Sequence, residues 1–247
     1  MTIVALDTAT RATVAALLRS GDPPLELEAR DDPAPGERPR HATRVLELVA
    51  DVMERGGVGW DDVDAIAVGV GPGTFTGLRI GVASARALAR AREIALVGVS
   101  TLQSLACNAS ADDGAGRAGS VLAVLDARRG EVFAAGWPLG HQEGPPTLLS
   151  ARACSPAALG EAIAAIGPGA LAIGEGAVEF REVLERAGAL IPDDHSAIHR
   201  VSAINHCRLA LSMRGSSPDQ VQPEYLRLPD AEINRRASRG RAGGPKS

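Results

Sequence analysis

The alternation of apolar and polar residues along the chain predicts an α/β protein built from two similar halves. In the first half, short apolar runs at 2–7, 13–19 and 25–30 are separated by turn residues and indicate three consecutive strands. Apolar residues then recur with a helical period over 41–55, which predicts a helix that ends at two glycines. A strand at 65–70, a helix at 75–91, a strand at 95–99 and a short helix from about Thr101 to Cys107 complete this half.

The second half repeats this order of elements. Its predicted elements are strands at 121–126, 131–137 and 147–152, a helix at 156–166 behind the cap Ser155, a strand at 170–174 and a helix at 177–187. A further helix at 203–213 is expected to begin after Ser202. The halves also share sequence, because IVALDTATRATVAA (3–16) opens like LAVLDARRGEVFAA (122–135). A repeat of this length that occurs twice indicates duplicated lobes.

Three linked strands followed by a helix and a strand resemble the ribonuclease-H-like lobe, and two such lobes resemble the actin-like (ASKHA) fold. In that fold an acidic residue after the first strand of each lobe approaches phosphate or metal, which makes Asp7 and Asp126 candidates here. An alternative function is therefore an ATPase or small-molecule kinase that uses both aspartates, with Thr8, Gly71 and Gly73 beside the nucleotide. The competing structural interpretation is that an Asp closing a strand simply forms a turn.

The predicted domain organisation follows from one composition break. The segment ADDGAGRAGS (111–120) is the best boundary between the lobes. We therefore expect an N-terminal lobe at 1–110 with the partner-binding helices and a smaller lobe at 111–200. A helix and strand at 201–228 would return to the body, and 229–247 would form a disordered basic tail.

Composition removes several classes of chemistry. The formal charge is −4 and aromatic residues make up 2% of the chain, which argues against unaided binding of nucleic acid by the body of the protein. The only lysine is Lys246, so neither Schiff-base chemistry nor a phosphate-loop lysine is available. Three separated cysteines, an N-terminus without a basic leader and the lack of a long apolar run predict a soluble cytoplasmic protein. The basic tail at 234–247 leaves an RNA-binding adaptor as a third, weaker interpretation.

The stretch GVGPGTFTGLRIGVASARALA (69–89) is the most distinctive part of the chain. It fits neither the phosphate-binding P-loop nor the dinucleotide fingerprint, although the Gly71–Gly73 turn before a helix could still receive an anion. Beyond the turn, small residues recur every fourth position and share one face of the helix: Gly77, Gly81, Ala85 and Ala89. This stripe predicts close packing, either on the protein's own sheet and helix 41–55 or on another chain.

Five blocks of sequence, in consistent order, resemble the bacterial TsaB (YeaZ) family. They are VALDTAT (4–10), GVGPGTFTGLRIGVASARALA (69–89), GVSTLQSLA (98–106), DARRGEVF (126–133) and PEYLR (223–227). The resemblance implies a non-catalytic scaffold that binds the related catalytic subunit TsaD and acts with the ATPase TsaE. Together these proteins modify tRNA to N6-threonylcarbamoyladenosine (t6A) beside the anticodon, and tRNA would be met only through the complex. No membrane is involved and no cofactor is required, although ATP or ADP could sit at a shared interface.

The resemblance also assigns the interface to helices 41–55 and 76–91, which would bind TsaD or, in its absence, a second copy. The implied contact residues are Val45, Leu48, Gly77, Leu78, Gly81, Ala85 and Ala89. Bulky replacements such as Gly81→Leu or Ala85→Arg are then expected to abolish partner binding while the monomer stays folded.

Metal catalysis is not expected. TsaD-like enzymes carry an H-x-x-x-H pair in the matching helix, whereas this chain has His41 followed four residues later by Val45. His195 and His199 form a second H-x-x-x-H. Because 195–201 is predicted to be extended, they would stand roughly 13 Å apart and would not share a metal ion.

Overall fold

The computed structural model describes residues 1–34, 36–109 and 118–227. Its first sheet has the order β3-β2-β1-β4-β5, with β1, β2 and β3 antiparallel and β4 and β5 parallel to β1. The strands are β1 Thr2–Asp7, β2 Thr13–Arg19, β3 Leu25–Asp31, β4 Ala65–Gly71 and β5 Ala95–Ser100. Helix α1 (His41–Gly56) joins β3 to β4, and α2 (Phe75–Arg92) joins β4 to β5.

The second sheet repeats the same arrangement in the order β8-β7-β6-β9, with β9 parallel to β6. Its strands are β6 Ser120–Arg128, β7 Glu131–Pro138, β8 Leu149–Cys154 and β9 Leu171–Ile173. The helices after β5 are α3 Thr101–Ala106, α4 Pro156–Ile166, α5 Glu175–Glu179, α6 Arg181–Arg186 and α7 Ala203–Ala210, with short 3-10 turns at Trp60–Asp62 and Ala197–His199. The predicted α/β class and the recurrence of its elements are confirmed.

The first sheet is covered on both faces. Alternate residues of β1 point in opposite directions, so Val4 and Leu6 join the core under α1 and α2. Ile3 and Ala5 join a second core under α7. This double covering explains why β1 reads as a continuous apolar run rather than as an alternating one.

Several predicted elements differ from the structure. Strand β8 begins at Leu149 rather than 147, and the helix predicted at 177–187 is two short helices, because Phe180 leaves the helical conformation with φ −110° and ψ 27°. Residues 197–199 form a 3-10 turn, so the prediction that 195–201 is extended is wrong. Helix α7 ends at Ala210 instead of 213.

Two predicted features fall largely on residues that the structure does not describe. Most of the proposed boundary at 111–120 lies outside the described residues, as does the whole basic tail at 229–247.

The chain ends its described part with a segment, 216–227, that runs from one lobe to the other; we call it the closing segment. It starts with a bridge between Ser216 and Leu96 of β5, and the Glu224 amide then donates to the Val70 carbonyl at 2.7 Å. Its Tyr225 ring lies 5.2 Å from the Phe75 ring at the start of α2. Arg227 finally donates to the Ala127 carbonyl at 3.2 Å, next to the turn between β6 and β7.

Candidate functional site

Asp7, the candidate acid of the first lobe, is held on all sides by the protein itself. The side chain is 1% exposed. Its Oδ1 accepts the Ala9 amide at 2.6 Å, and its Oδ2 accepts the Thr101 hydroxyl at 2.8 Å and lies 3.0 Å from His206 Nε2. A carboxylate with this many partners has no free side for a metal ion or a phosphate, so the arrangement stabilises the fold.

The partners of Asp7 were not predicted from the sequence. His206, on α7, is fully buried and reaches Ser104 with its other ring nitrogen, since Nδ1 lies 2.8 Å from Ser104 Oγ. The three residues form a Ser–His–Asp chain, but Ser104 is also fully buried and donates its proton to the Ser202 carbonyl. A nucleophile needs access to a substrate, so this chain of bonds joins α3 and α7 to β1 instead of performing catalysis.

The other predicted nucleotide-binding residues are also occupied internally. Thr8 is buried and its hydroxyl donates to the Gly77 carbonyl at 2.7 Å. A Cβ at Gly73 would overlap the Ala9 carbonyl, and one at Gly71 would lie 2.9 Å from the Glu224 carbonyl. The turn is therefore packed against the end of β1 and the closing segment. Assigning Asp7, Thr8, Gly71 and Gly73 to a cofactor is wrong for this structure, because protein atoms fill the space that a ligand would need.

Asp126, at the matching place in the second lobe, is more open. Its Oδ1 accepts the Arg128 amide at 2.7 Å, as Asp7 accepts the amide two residues on, and its Oδ2 pairs with the Arg128 guanidinium at 2.9 Å. Glu175 at the start of α5 lies near it, and burial, reinforced by the Asp126 charge, raises the pKa of the Glu175 carboxyl. Glu175 lines a cleft of about 270 Å³ between the lobes, with Arg11 on the opposite side.

The predicted partner contact line faces the inside of the monomer. All seven residues are buried: Val45, Leu48, Gly77, Leu78, Gly81, Ala85 and Ala89. A Cβ at Gly77 would overlap the Thr8 carbonyl, and one at Gly81 would overlap the Thr8 hydroxyl. The stripe lets α2 approach the end of β1, so its assignment to a partner is wrong. Gly81→Leu and Ala85→Arg would test folding rather than partner binding.

A different line of small and apolar residues faces solvent on the same two helices. We call it the outer face, and its exposed members are Ala42, Leu46 and Ala50 on α1 and Ala83, Ala87 and Ala91 on α2. Leu46 is 49% exposed, and together with the alanines it forms a continuous apolar patch, which is more informative than a single exposed leucine. Leu46 also lines an apolar groove of about 390 Å³ between the two helices, together with Leu88 and Trp60.

The histidines do not form a metal centre in the described part of the chain. His41 is buried, its Nδ1 lies 2.9 Å from the Thr13 hydroxyl, and burial lowers its pKa. His195 is exposed, whereas His199 is buried and its Nδ1 accepts the Gly174 amide at 3.0 Å. Among residues 1–34, 36–109 and 118–227, no three His, Cys, Asp or Glu side chains are placed to hold an ion. Nor does any helix within these ranges have the length and apolar character needed to cross a bilayer.

The fold and its closed first-strand site define the class: a two-lobed α/β protein in which the aspartate of the first lobe serves structure. Residues 37–140, from the approach to α1 to the end of β7, match the family model for tRNA N6-adenosine threonylcarbamoyltransferase. The chain is 42% identical over 133 residues to the Escherichia coli tRNA threonylcarbamoyladenosine biosynthesis protein TsaB, which covers 54% of this chain and 53% of that protein. The match thus spans about half the length of this curated relative.

Solved structures match almost the whole described chain. Pseudomonas aeruginosa YeaZ is 30% identical with a TM-score of 0.72, covering 91% of this chain and 99% of that one. A Pseudomonas aeruginosa protein described as similar to the peptidase YeaZ is also 30% identical, with a TM-score of 0.74 and coverage of 92% and 99%. The chain belongs to the TsaB (YeaZ) family.

Proposed function

We propose that this protein is a non-catalytic subunit for t6A modification of tRNA and that it binds a TsaD-type catalytic subunit through the outer face. The observation that carries the proposal is the apolar outer face itself. On both helices its exposed residues are uncharged, and Leu46 is the largest of them. Small residues allow a partner helix to approach closely, and an exposed leucine beside an apolar groove is a suitable anchor.

The rim of the outer face supports the same role. Charged side chains flank the apolar line, including Glu47 and Asp51 on α1 and Arg90 on α2. Interfaces between subunits commonly have an apolar centre and a polar rim. In isolation, the same face would pair with a second copy of the chain, and in the complex the TsaD-type subunit would replace that copy.

The non-catalytic part of the proposal rests on what the candidate groups already do. Asp7 is bonded to Ala9, Thr101 and His206, and the position four residues after His41 is the fully buried Val45, which cannot ligate a metal. The repeated strand order in the two sheets supports an actin-like fold with duplicated lobes. On this proposal a TsaE-type ATPase completes the assembly in the cytoplasm, tRNA is contacted only through the complex, and this chain needs no cofactor of its own.

The direct test is co-elution with the cognate TsaD-type subunit in size-exclusion chromatography. Leu46→Glu is expected to abolish co-elution, because it places a charge in the apolar centre, and Ala87→Arg is expected to do the same by steric block. Both positions are exposed in the monomer, so circular dichroism and the thermal midpoint should stay close to those of the wild type.

The matched control is Leu211→Glu. Leu211 is 43% exposed and follows α7, on the opposite face of the first sheet, so the same substitution there should leave co-elution intact. Retained co-elution of Leu46→Glu, or equal loss with Leu211→Glu, would refute the assignment of the outer face.

A further inference from the structure

A second cavity, which adjoins the outer face at Ala42, brings several arginines together. It has a volume of about 770 Å³ and lies where the β1–β2 turn, the loop before α1, the start of α2 and the β6–β7 turn meet. Four arginines line it: Arg11, Arg38, Arg40 and Arg128. Its lining contains no acidic residue, although the formal charge of the whole chain is −4.

The four guanidinium groups are not all neutralised by the protein. Arg40 pairs with Asp31 and Arg128 with Asp126. Arg11, in contrast, donates to the Ala34 and Glu37 backbone carbonyls, which carry no net charge. For Arg38, no hydrogen bond or ion pair is formed with any residue in the described part of the chain. Among the described residues, Arg38 is therefore left without a carboxylate partner, and Arg11 is bonded to neutral carbonyls while its charge also acts on Glu175. Both guanidinium groups have further N–H donors that a ligand could use.

Backbone amides around the cavity add further hydrogen-bond donors, and their partial positive charge has the same sign as that of the arginines. Helices α1 and α2 both begin at its wall, neither has an acidic residue in its first turn, and neither N-cap residue accepts a hydrogen bond with its side chain. The hydroxyl-bearing Thr74 and Thr76 also line the cavity. These groups strengthen a site that the arginines define, because the free amides of a helix start favour an anion.

A ligand with several oxygens and more than one negative charge suits this cavity. Guanidinium groups gathered around one space repel one another, and an anion with several oxygens relieves this repulsion while accepting bidentate hydrogen bonds. The cavity is also much larger than a single carboxylate needs. From this geometry we infer that the cavity binds the phosphoryl group of a small phosphorylated molecule.

The test uses the full-length chain and two probes. Inorganic pyrophosphate is titrated by calorimetry, and a labelled RNA stem-loop is titrated by fluorescence anisotropy, each at low and at moderate salt. Arg38→Ala is the main variant, because this side chain is exposed and the described residues offer it no partner whose loss could disturb the fold. We expect it to weaken binding about tenfold, and Arg38→Ala with Arg11→Ala about a hundredfold. Arg38→Lys should fall between Arg38→Ala and the wild type, because it keeps the charge but loses the fork.

The control is Arg186→Ala, which removes the same charge from an exposed site on α6 in the second lobe. Arg186→Ala should change the affinity for either probe by less than about twofold, and salt should weaken binding equally for this variant and the wild type. Saturable pyrophosphate binding that depends on Arg38 supports the inference, whereas RNA binding with the same dependence but no pyrophosphate binding would overturn it. No saturable binding of either probe, or equal loss with Arg186→Ala, would overturn the inference. Co-elution with the TsaD-type subunit is a separate measurement, so the docking proposal can fail or hold independently.

Discussion

The aspartates that end β1 and β6 occupy matching places in the two lobes, but only one of them is sealed off from solvent. Both accept the amide two residues further along the chain. Asp7 is 1% exposed and receives two more bonds from α3 and α7, whereas the Asp126 side chain is 21% exposed and pairs with its neighbour Arg128. The same backbone turn is present in both lobes. Packing of α3 and α7 around Asp7 buries this carboxylate in the core, whereas Asp126 remains partly exposed beside the cleft.

The two lobes also differ in how tightly a helix packs against the first strand. In each lobe the helix that follows the strand parallel to the first one carries a glycine against the end of that first strand. In the first lobe it is Gly77 of α2, where a Cβ would overlap the Thr8 carbonyl. In the second it is Gly176 of α5, where a Cβ would lie 2.8 Å from the Leu125 carbonyl carbon. Both the aspartate and the helix glycine are thus more tightly packed in the first lobe than in the second.

The largest effect is expected for Asp7→Ala. This change leaves the buried Nε2 of His206 without its partner and removes the acceptor for the Ala9 amide and the Thr101 hydroxyl, so the free energy of unfolding should fall by about 3–5 kcal/mol. Urea denaturation followed by circular dichroism measures it. A loss below about 1 kcal/mol would mean that the buried bonds do not hold the lobe together.

The paired glycine variants should come next. Gly77→Ala forces a methyl group against the Thr8 carbonyl, just after β1, and should cost about 2–3 kcal/mol, after the roughly 1 kcal/mol that alanine returns in a helix. Gly176→Ala, which has more room, should cost about 1 kcal/mol. If the same denaturation measurement gave the reverse order, the first lobe would not be the more tightly packed one.

Asp126→Ala should have a small effect. Its ion pair with Arg128 is partly exposed, so solvent screens most of the gain and the loss in unfolding free energy should stay below about 1 kcal/mol. The contrast with Asp7→Ala, measured under identical conditions, isolates the effect of burial on one and the same turn. Losses of similar size for the two variants would contradict the comparison.

The smallest effect concerns pH. Since burial raises the pKa of Glu175 in the folded state, the folded chain holds this proton to a higher pH than the unfolded chain does. The stability that this proton provides is complete below the unfolded pKa and is lost as pH rises through the folded value. Glu175→Gln cannot lose the proton, so its unfolding free energy should fall less than that of the wild type as pH rises above about 4.5. Parallel pH profiles for the two proteins would contradict the assignment.

The sequence predicted the repeated elements of the fold well because their apolar periods are long and clear. Strands β1 and β2 and the helix beginning at His41 lie where the pattern places them, and Ser155 accepts the Ala158 amide as an N-cap should. The division at Phe180 was missed, since apolar spacing runs on through both short helices. Local pattern does not record a break that tertiary packing imposes.

The orientation of α2 could not be predicted from the periodicity of its small residues. The helix has two lines of small residues, one through Gly77, Gly81, Ala85 and Ala89 and another through Ala83, Ala87 and Ala91. A period of four residues says that each line shares a face, but not which face meets the sheet. The glycines belong inside because only they leave room for the Thr8 backbone and side chain. Likewise, the bond between His206 and Asp7 joins residues 199 positions apart, beyond the reach of any local pattern.

The closing segment gives the two lobes a shared tether. It is fixed to β4 through Glu224, to the start of α2 through Tyr225 and to the second lobe through Arg227. Because these contacts lie on one continuous stretch of chain, we expect a rotation that widens the cleft to weaken the contact between the Tyr225 and Phe75 rings.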